Sequence, residues 1–181
     1  MFDITPSRMA GCFEIQPRVF EDARGRFVKV FHDVAFAGLG LEVDFKEEYY
    51  SVSLRHVIRG LHFQTPPMDH VKVVYCVEGT VLDALVDLRK GSPTYGEFAL
   101  FELSAGKANG LYIPKGVAHG FSVQSDRAVM VYKVGTVHSP THDAGIRWDS
   151  VGIPWGVDAP IMSDRDRAFP ALADFESPFG P

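Results

Sequence analysis

The chain has 181 residues, 23% charged and 46% hydrophobic, with a formal net charge of −5 at pH 7. One domain spanning residues 1–181 is the expectation, because a chain of roughly 150 residues can bury about 70% of its unfolded surface in a single core. The acidic balance argues against a nucleic-acid partner. No stretch approaches the ~20 apolar residues of a membrane span, and the N-terminus lacks a charged segment leading into a long apolar run, so a cytoplasmic protein without a membrane partner is the default.

In chain order, Phe27–Phe31 is the first predicted strand, and Asp33–Leu39 is the best helix, with Asp33 as cap and the Gly38/Gly40 pair as stop. Further strands are predicted at Val71–Val77, Val81–Leu88, Phe98–Leu103 and Val129–Val134, where Val, Phe and Leu are dense and Gly or Pro punctuates the gaps. The pattern reads as all-β: an antiparallel barrel or jelly roll with a few short peripheral helices. The segment after Trp155 is expected to wrap the barrel surface in loops and short helices. Cys12 and Cys76 are too few and too far apart for a disulfide scaffold or a four-cysteine zinc site, and read as packing residues.

Residues two apart in a strand share a face. Lys72 therefore joins Val74 and Cys76, Tyr132 joins Met130 and Val134, and Lys29 lies on one side with Phe27 and Phe31. Arg59 and His62 have opposite parity, so a bulge or strand end near Gly60 is needed if both are to face one cavity.

Three segments carry chemistry: Val57-Ile58-Arg59-Gly60-Leu61-His62-Phe63-Gln64, Pro114-Lys115-Gly116-Val117-Ala118-His119-Gly120-Phe121 and Tyr132-Lys133. Two histidines and a tyrosine among strands with cationic neighbours can remove a proton beside a ketone, stabilise the enolate and return a proton from elsewhere. An imidazole of near-neutral pKa suits the first step. Inversion needs a donor on the opposite face of the ring, for which a tyrosine hydroxyl beside Lys133 or another cation would serve. An ammonium at the developing oxyanion supplies electrostatic stabilisation.

These segments, with Asp22-Ala23-Arg24-Gly25, Val86-Asp87-Leu88-Arg89, Ser92-Pro93-Thr94-Tyr95-Gly96, Gly145-Ile146-Arg147-Trp148 and Ser163-Asp164-Arg165-Asp166, resemble the dTDP-4-dehydrorhamnose 3,5-epimerase family, cupin-type enzymes acting on 4-keto nucleotide sugars. The resemblance covers nearly the whole chain. It implies His62 as general base, Tyr132 as opposing acid and Asp166 as the group that orients His62. It also implies Arg24, Arg59 and Arg165 on the diphosphate and nucleotide, Lys72 at the keto oxygen and His119 completing the pocket. No cofactor and no metal are implied. Related barrels form homodimers and exchange N-terminal strands that complete the neighbour's pocket, so a homodimer is expected.

The chain departs from the family at several substrate-facing positions. Lys29 stands where glutamate is usual, and Glu47-Glu48-Tyr49 replaces a Gln-Asp-Asn run; Lys29 and Glu47 are expected to form an ion pair. His138 stands where Tyr or Phe stacks on the base, and Asp143 where glutamate is common. The nucleotide, the sugar and the inverted carbon (C3, C5 or both) stay open.

Plainer readings compete. His62 could be a structural histidine, His119 a partner for Asp83, Tyr132 a barrel aromatic, and Asp166 part of a solvated Ser-Asp-Arg-Asp-Arg run. A metal-dependent cupin shares the Pro-x-Gly-x-x-His segment, but His62-Phe63-Gln64 lacks its second histidine. A noncatalytic sugar-nucleotide sensor and a ketoisomerase are the remaining alternatives.

Overall fold

The computed structural model describes residues 1–180, and Pro181 lies outside them. Thirteen strands dominate: β1 Phe2–Pro6, β2 Phe13–Pro17, β3 Val19–Asp22, β4 Gly25–Val28, β5 Glu47–Leu54, β6 Ile58–Gln64, β7 Lys72–Glu78, β8 Thr80–Asp87, β9 Phe98–Ser104, β10 Gly110–Ile113, β11 Val117–Val123, β12 Arg127–Val134 and β13 Asp143–Gly145. The helices are short, α1 at Asp33–Gly38 and α2 at Asp164–Arg167, with a 3-10 turn at Leu172–Asp174.

A six-stranded sheet in the order β1-β2-β10-β7-β12-β5 faces a five-stranded sheet in the order β13-β6-β11-β8-β9. Their pairings are antiparallel. Between them lies the central core, where Val74, Cys76, Leu111 and Met130 meet Val81, Leu85, Leu103, Val117 and Phe121. The period-two alternation explains this split, since the opposite faces of the same strands feed two further cores. Val73 and Tyr112 pack with Phe36 and Leu41 outside the first sheet. Ala84, Val86 and Ala118 pack with Ile153, Trp155 and Phe179 outside the second. The C-terminal segment thus covers the second sheet, and β11, covered on both sides, is buried along its whole length. This is the jelly-roll layout expected for the chain.

Two local expectations need correction. The strand predicted at Phe27–Phe31 stops at Val28, because Phe31 turns into an aromatic cluster with Phe36 and Phe45, at ring distances of 5.0 and 5.3 Å. The helix cap is His32, whose Nδ1 accepts from the Ala35 amide; Asp33 instead accepts from the neighbouring Val34 amide. Gly40 does stop the helix: its φ of +75° suits glycine, and the amides of Gly40 and Leu41 return to the carbonyls of Ala37 and Phe36.

The bulge expected near Gly60 is present. His62 pairs with His119 and Arg59 with Phe121, so Gly60 and Leu61 together oppose Gly120 alone. A side chain at Gly60 would bring its Cβ to 2.5 Å from the Gly120 Cα, and φ is +140° there, so only glycine fits. The extra residue sends Leu61 into the outer core while Arg59 and His62 both reach one cavity.

Candidate active site

The open end of the barrel holds a two-lobed cavity. One lobe, of about 320 Å³, is walled by Glu47, Lys72, His70, His138, Asp143 and Arg165, among others. The other, of about 270 Å³, is walled by Ser51, Arg59, His119, Phe121 and Tyr132. His62 and Tyr49 line both.

His62 Nε2 lies 2.8 Å from Asp166 Oδ1, and the second Asp166 oxygen accepts from the Gly60 amide at 3.1 Å. Asp166 is placed by α2, whose Ser163 cap accepts from the Asp166 amide. Burial alone would raise the Asp166 carboxyl, but the contacts with His62 and Gly60 outweigh it and hold it below the usual range. An ionised carboxylate only accepts, so Nε2 carries the proton and Nδ1 of neutral His62 is left as the basic nitrogen. Burial pushes the His62 pKa down and Asp166 only partly restores it, so the ring is neutral at pH 7.

Tyr132 comes from the facing sheet. Its hydroxyl lies 2.9 Å from Ser51 Oγ, its ring stacks on Tyr49, and burial raises its pKa well above the ordinary phenol value. It is therefore a protonated donor at neutral pH. Of the two expected arrangements, Lys133 or another cation beside the phenol, Lys133 is not the one that lies there. Strand alternation turns Lys133 to the other face, where it pairs with Glu48 and lies over Phe31. Arg59 is the cation that shares the Tyr132 lobe; it donates to Ser53 Oγ at 2.9 Å and pairs with no carboxylate among the described residues.

Lys72 is buried on the inner face of β7 and donates to the His62 carbonyl at 3.1 Å. Burial pulls its pKa down to about 8, against the attraction of Asp143 and Asp83. Arg165 is tied to Asp143 at 2.6 Å, stands 3.7 Å from Asp166 and lies over the Phe169 ring. His119 Nε2 lies 2.7 Å from Asp83 Oδ2, both groups buried. The partner suggested by sequence is there, and His119 still walls the cavity.

Several expected site residues are placed otherwise. Lys29 is exposed, outside both lobes, and no Lys29–Glu47 ion pair forms. Glu47 accepts from the His138 amide at 2.7 Å instead, because the chain leaves β4 before Lys29. His138 lines the cavity, but the ring set edge-on to His62, at 5.7 Å, is Phe169. Arg24 sits in the β3–β4 turn, paired with Asp22 at 2.5 Å, away from His62 within one chain. Sequence reasoning placed Tyr49 in a substrate-facing run without giving it a role, and missed Ser51, His70 and Phe169. Parity along β5 would have found Tyr49 and Ser51, since Glu47, Tyr49, Ser51 and Ser53 fall on one face. Burial, chiefly, drops His70 to about 3, so it is a neutral wall group bonded to Thr136.

A family model for dTDP-4-dehydrorhamnose 3,5-epimerase matches residues 6–174. This chain belongs to that epimerase family. A dTDP-4-dehydrorhamnose 3,5-epimerase of Shigella flexneri is 43% identical over 83% of this chain and 85% of its own length. The crystal structure of the Bacillus anthracis dTDP-4-dehydrorhamnose 3,5-epimerase, with TDP and PPi bound, superposes with a TM-score of 0.92 at 35% identity, covering 95% of this chain and all of that one. The Legionella pneumophila dTDP-6-deoxy-D-glucose-3,5-epimerase, in complex with dTDP-4-keto-L-rhamnose, gives 0.93 at 30% identity, covering 97% and 95%. In a family of carbohydrate epimerases, an imidazole backed by a carboxylate and a phenol on the facing sheet are groups suited to moving protons. Among the described residues, no group of three or more His, Cys, Asp or Glu side chains is arranged to hold a metal ion.

Proposed function

We propose that the protein epimerises C3, C5 or both of a 4-keto-6-deoxy nucleotide sugar of the dTDP-4-dehydro-6-deoxyglucose type, in deoxysugar biosynthesis. The observation that carries this reading is that His62, backed by Asp166, and Tyr132, protonated on the facing sheet, wall one lobe. In the proposed reaction the C–H bond beside the C4 ketone breaks, its proton passes to His62 Nδ1, and its electron pair moves into the enolate. The Lys72 ammonium faces the developing oxyanion. Tyr132 then gives its proton to the opposite face of the same carbon, and the phenolate and imidazolium return to their starting forms by exchange with water.

Binding is assigned to Arg59, the cation of the Tyr132 lobe, as the diphosphate ligand, since a guanidinium can pair with two phosphate oxygens at any cellular pH. Arg165, Glu47, His138 and Asp143 are assigned to the remainder of the substrate. A homodimer fits two surfaces. The outer face of edge strand β5 exposes Tyr50, Val52 and Leu54, and the β3–β4 hairpin exposes Phe20 and Phe27 beside Arg24. In such a dimer Arg24 would act on the neighbour's substrate. The test is incubation with a panel of 4-keto sugar nucleotides in heavy water, read by NMR. Deuterium at C3 or C5 with inversion supports the reading, and turnover that survives exhaustive chelation excludes a metal-dependent cupin. Migration of the carbonyl would make it a ketoisomerase, and binding without exchange a sensor.

A further inference from the structure

Tyr49 stands at the waist of the cavity. In the β5–β12 register it is directly opposite Tyr132, and the two rings stack nearly parallel, 4.8 Å apart with an interplanar angle of 17°. It and His62 are the residues common to both lobes. A substrate with its hexose in one lobe and the rest in the other therefore passes between them.

Three side chains on one face of β5 reach across to the chemistry. Tyr49 covers the Tyr132 ring, Ser51 bonds the Tyr132 hydroxyl at 2.9 Å, and Ser53 accepts from Arg59 at 2.9 Å. A single hydrogen bond at a hydroxyl fixes the position of the oxygen but leaves the ring free to tilt about it. A parallel stack restrains the plane of the ring. Tyr49 keeps 44% of its surface exposed, and its packing in the cavity together with the carboxylates of Glu47 and Asp143 raises its hydroxyl above the ordinary phenol value, so it stays neutral at working pH.

We propose that Tyr49 is a positioning residue, holding the Tyr132 phenol at the angle from which it reprotonates the sugar and thereby setting how often proton abstraction ends in inversion. The proposal deepens the epimerase reading and rests on it. His62 keeps its own support from Asp166 and Gly60, so abstraction does not depend on Tyr49. Delivery does, because a displacement of about 1 Å can cost up to ~10²-fold in rate.

The test compares the full-length parent with Tyr49→Ala and Tyr49→Phe, on a 4-keto sugar nucleotide in heavy water, scoring deuterium exchange separately from inverted product. For Tyr49→Ala, exchange is expected to stay within about twofold while inversion falls at least about tenfold; Tyr49→Phe, which keeps the stack, is expected to restore inversion. A second readout needs no substrate: NMR titration of the Tyr132 phenol, expected to move down toward the ordinary range in Tyr49→Ala as the ring becomes solvated. An unchanged exchange-to-inversion ratio in Tyr49→Ala, equal impairment of Tyr49→Phe, or an unmoved Tyr132 titration each overturns the proposal. A parent that turns over while Tyr49→Ala behaves identically sinks the positioning claim alone. A parent that exchanges no proton on any 4-keto sugar nucleotide ends the epimerase reading and the proposed role of Tyr49 with it.

Discussion

Two aspartate–histidine pairs sit side by side, and they differ in almost everything except chemistry. His62 and His119 are direct partners across β6 and β11, and each presents Nε2 to a carboxylate, at 2.8 and 2.7 Å. The His62 side chain is 28% exposed and borders both lobes, whereas that of His119 is 5% exposed. Asp166 has both oxygens occupied, one by His62 and one by the Gly60 amide. Asp83 lies within the barrel with one oxygen unpartnered, and burial raises its pKa. The same residue pair leaves an imidazole within reach of the cavity where the strand bulges, the place of the proposed base, and a buried wall group where the strand is regular.

Removing each imidazole in turn separates the two pairs. His62→Asn should lower the rate of substrate proton exchange by about 10³-fold or more, in the range expected for a general base, while nucleotide binding measured by calorimetry stays near that of the parent. His119→Ala should act chiefly on the fold, because it leaves the Asp83 carboxylate buried and alone. Breaking a buried pair in this way costs about 3–5 kcal/mol, readable by denaturant unfolding. If His62→Asn proved the more unstable and His119→Ala the less active, the assignment of the two pairs would be reversed.

Smaller effects follow from the support of each group. Asp166→Asn keeps the hydrogen bond but can impose the other tautomer on His62, and a loss of about 10²-fold in kcat is expected, with little change in nucleotide affinity. The pH profile gives the mildest test. As the proposed base His62 must be neutral, and burial lowers its pKa, so the acid limb should have its midpoint below 6.5. In its proposed place at the oxyanion Lys72 must be charged, and its pKa is pulled down to about 8, so activity should fall again as pH rises through that value. Lys72→Met should abolish the basic limb together with most of the rate.

Much of this could be read from the amino-acid order, and the exceptions have physical causes. The apolar strands β7, β8, β9 and β12 were visible because both faces or the inner face pack in a core. Strand β5 was not, because its pattern is inverted: Glu47, Tyr49, Ser51 and Ser53 face the cavity while Tyr50, Val52 and Leu54 face outward. A polar row that lines a pocket resembles a solvated loop in one dimension. The bulge at Gly60 was inferable from the conflicting parity of Arg59 and His62, since only an extra residue puts both in one cavity. Lys29 was misplaced because the pull of Phe31 toward Phe36 and Phe45 ends β4 early, a tertiary contact that no local pattern encodes. The pairing of Asp166 with His62 joins residues far apart in sequence, and only the family resemblance pointed to it.

The most direct measurement follows Tyr132→Phe beside the parent protein, with a 4-keto-6-deoxy nucleotide sugar in heavy water, by NMR at C3 and C5. The expected result is deuterium with inverted configuration in the parent, and deuterium with the original configuration at the first exchanging carbon in the variant. Equal inversion in both would contradict the assignment of the phenol as the proton donor facing His62.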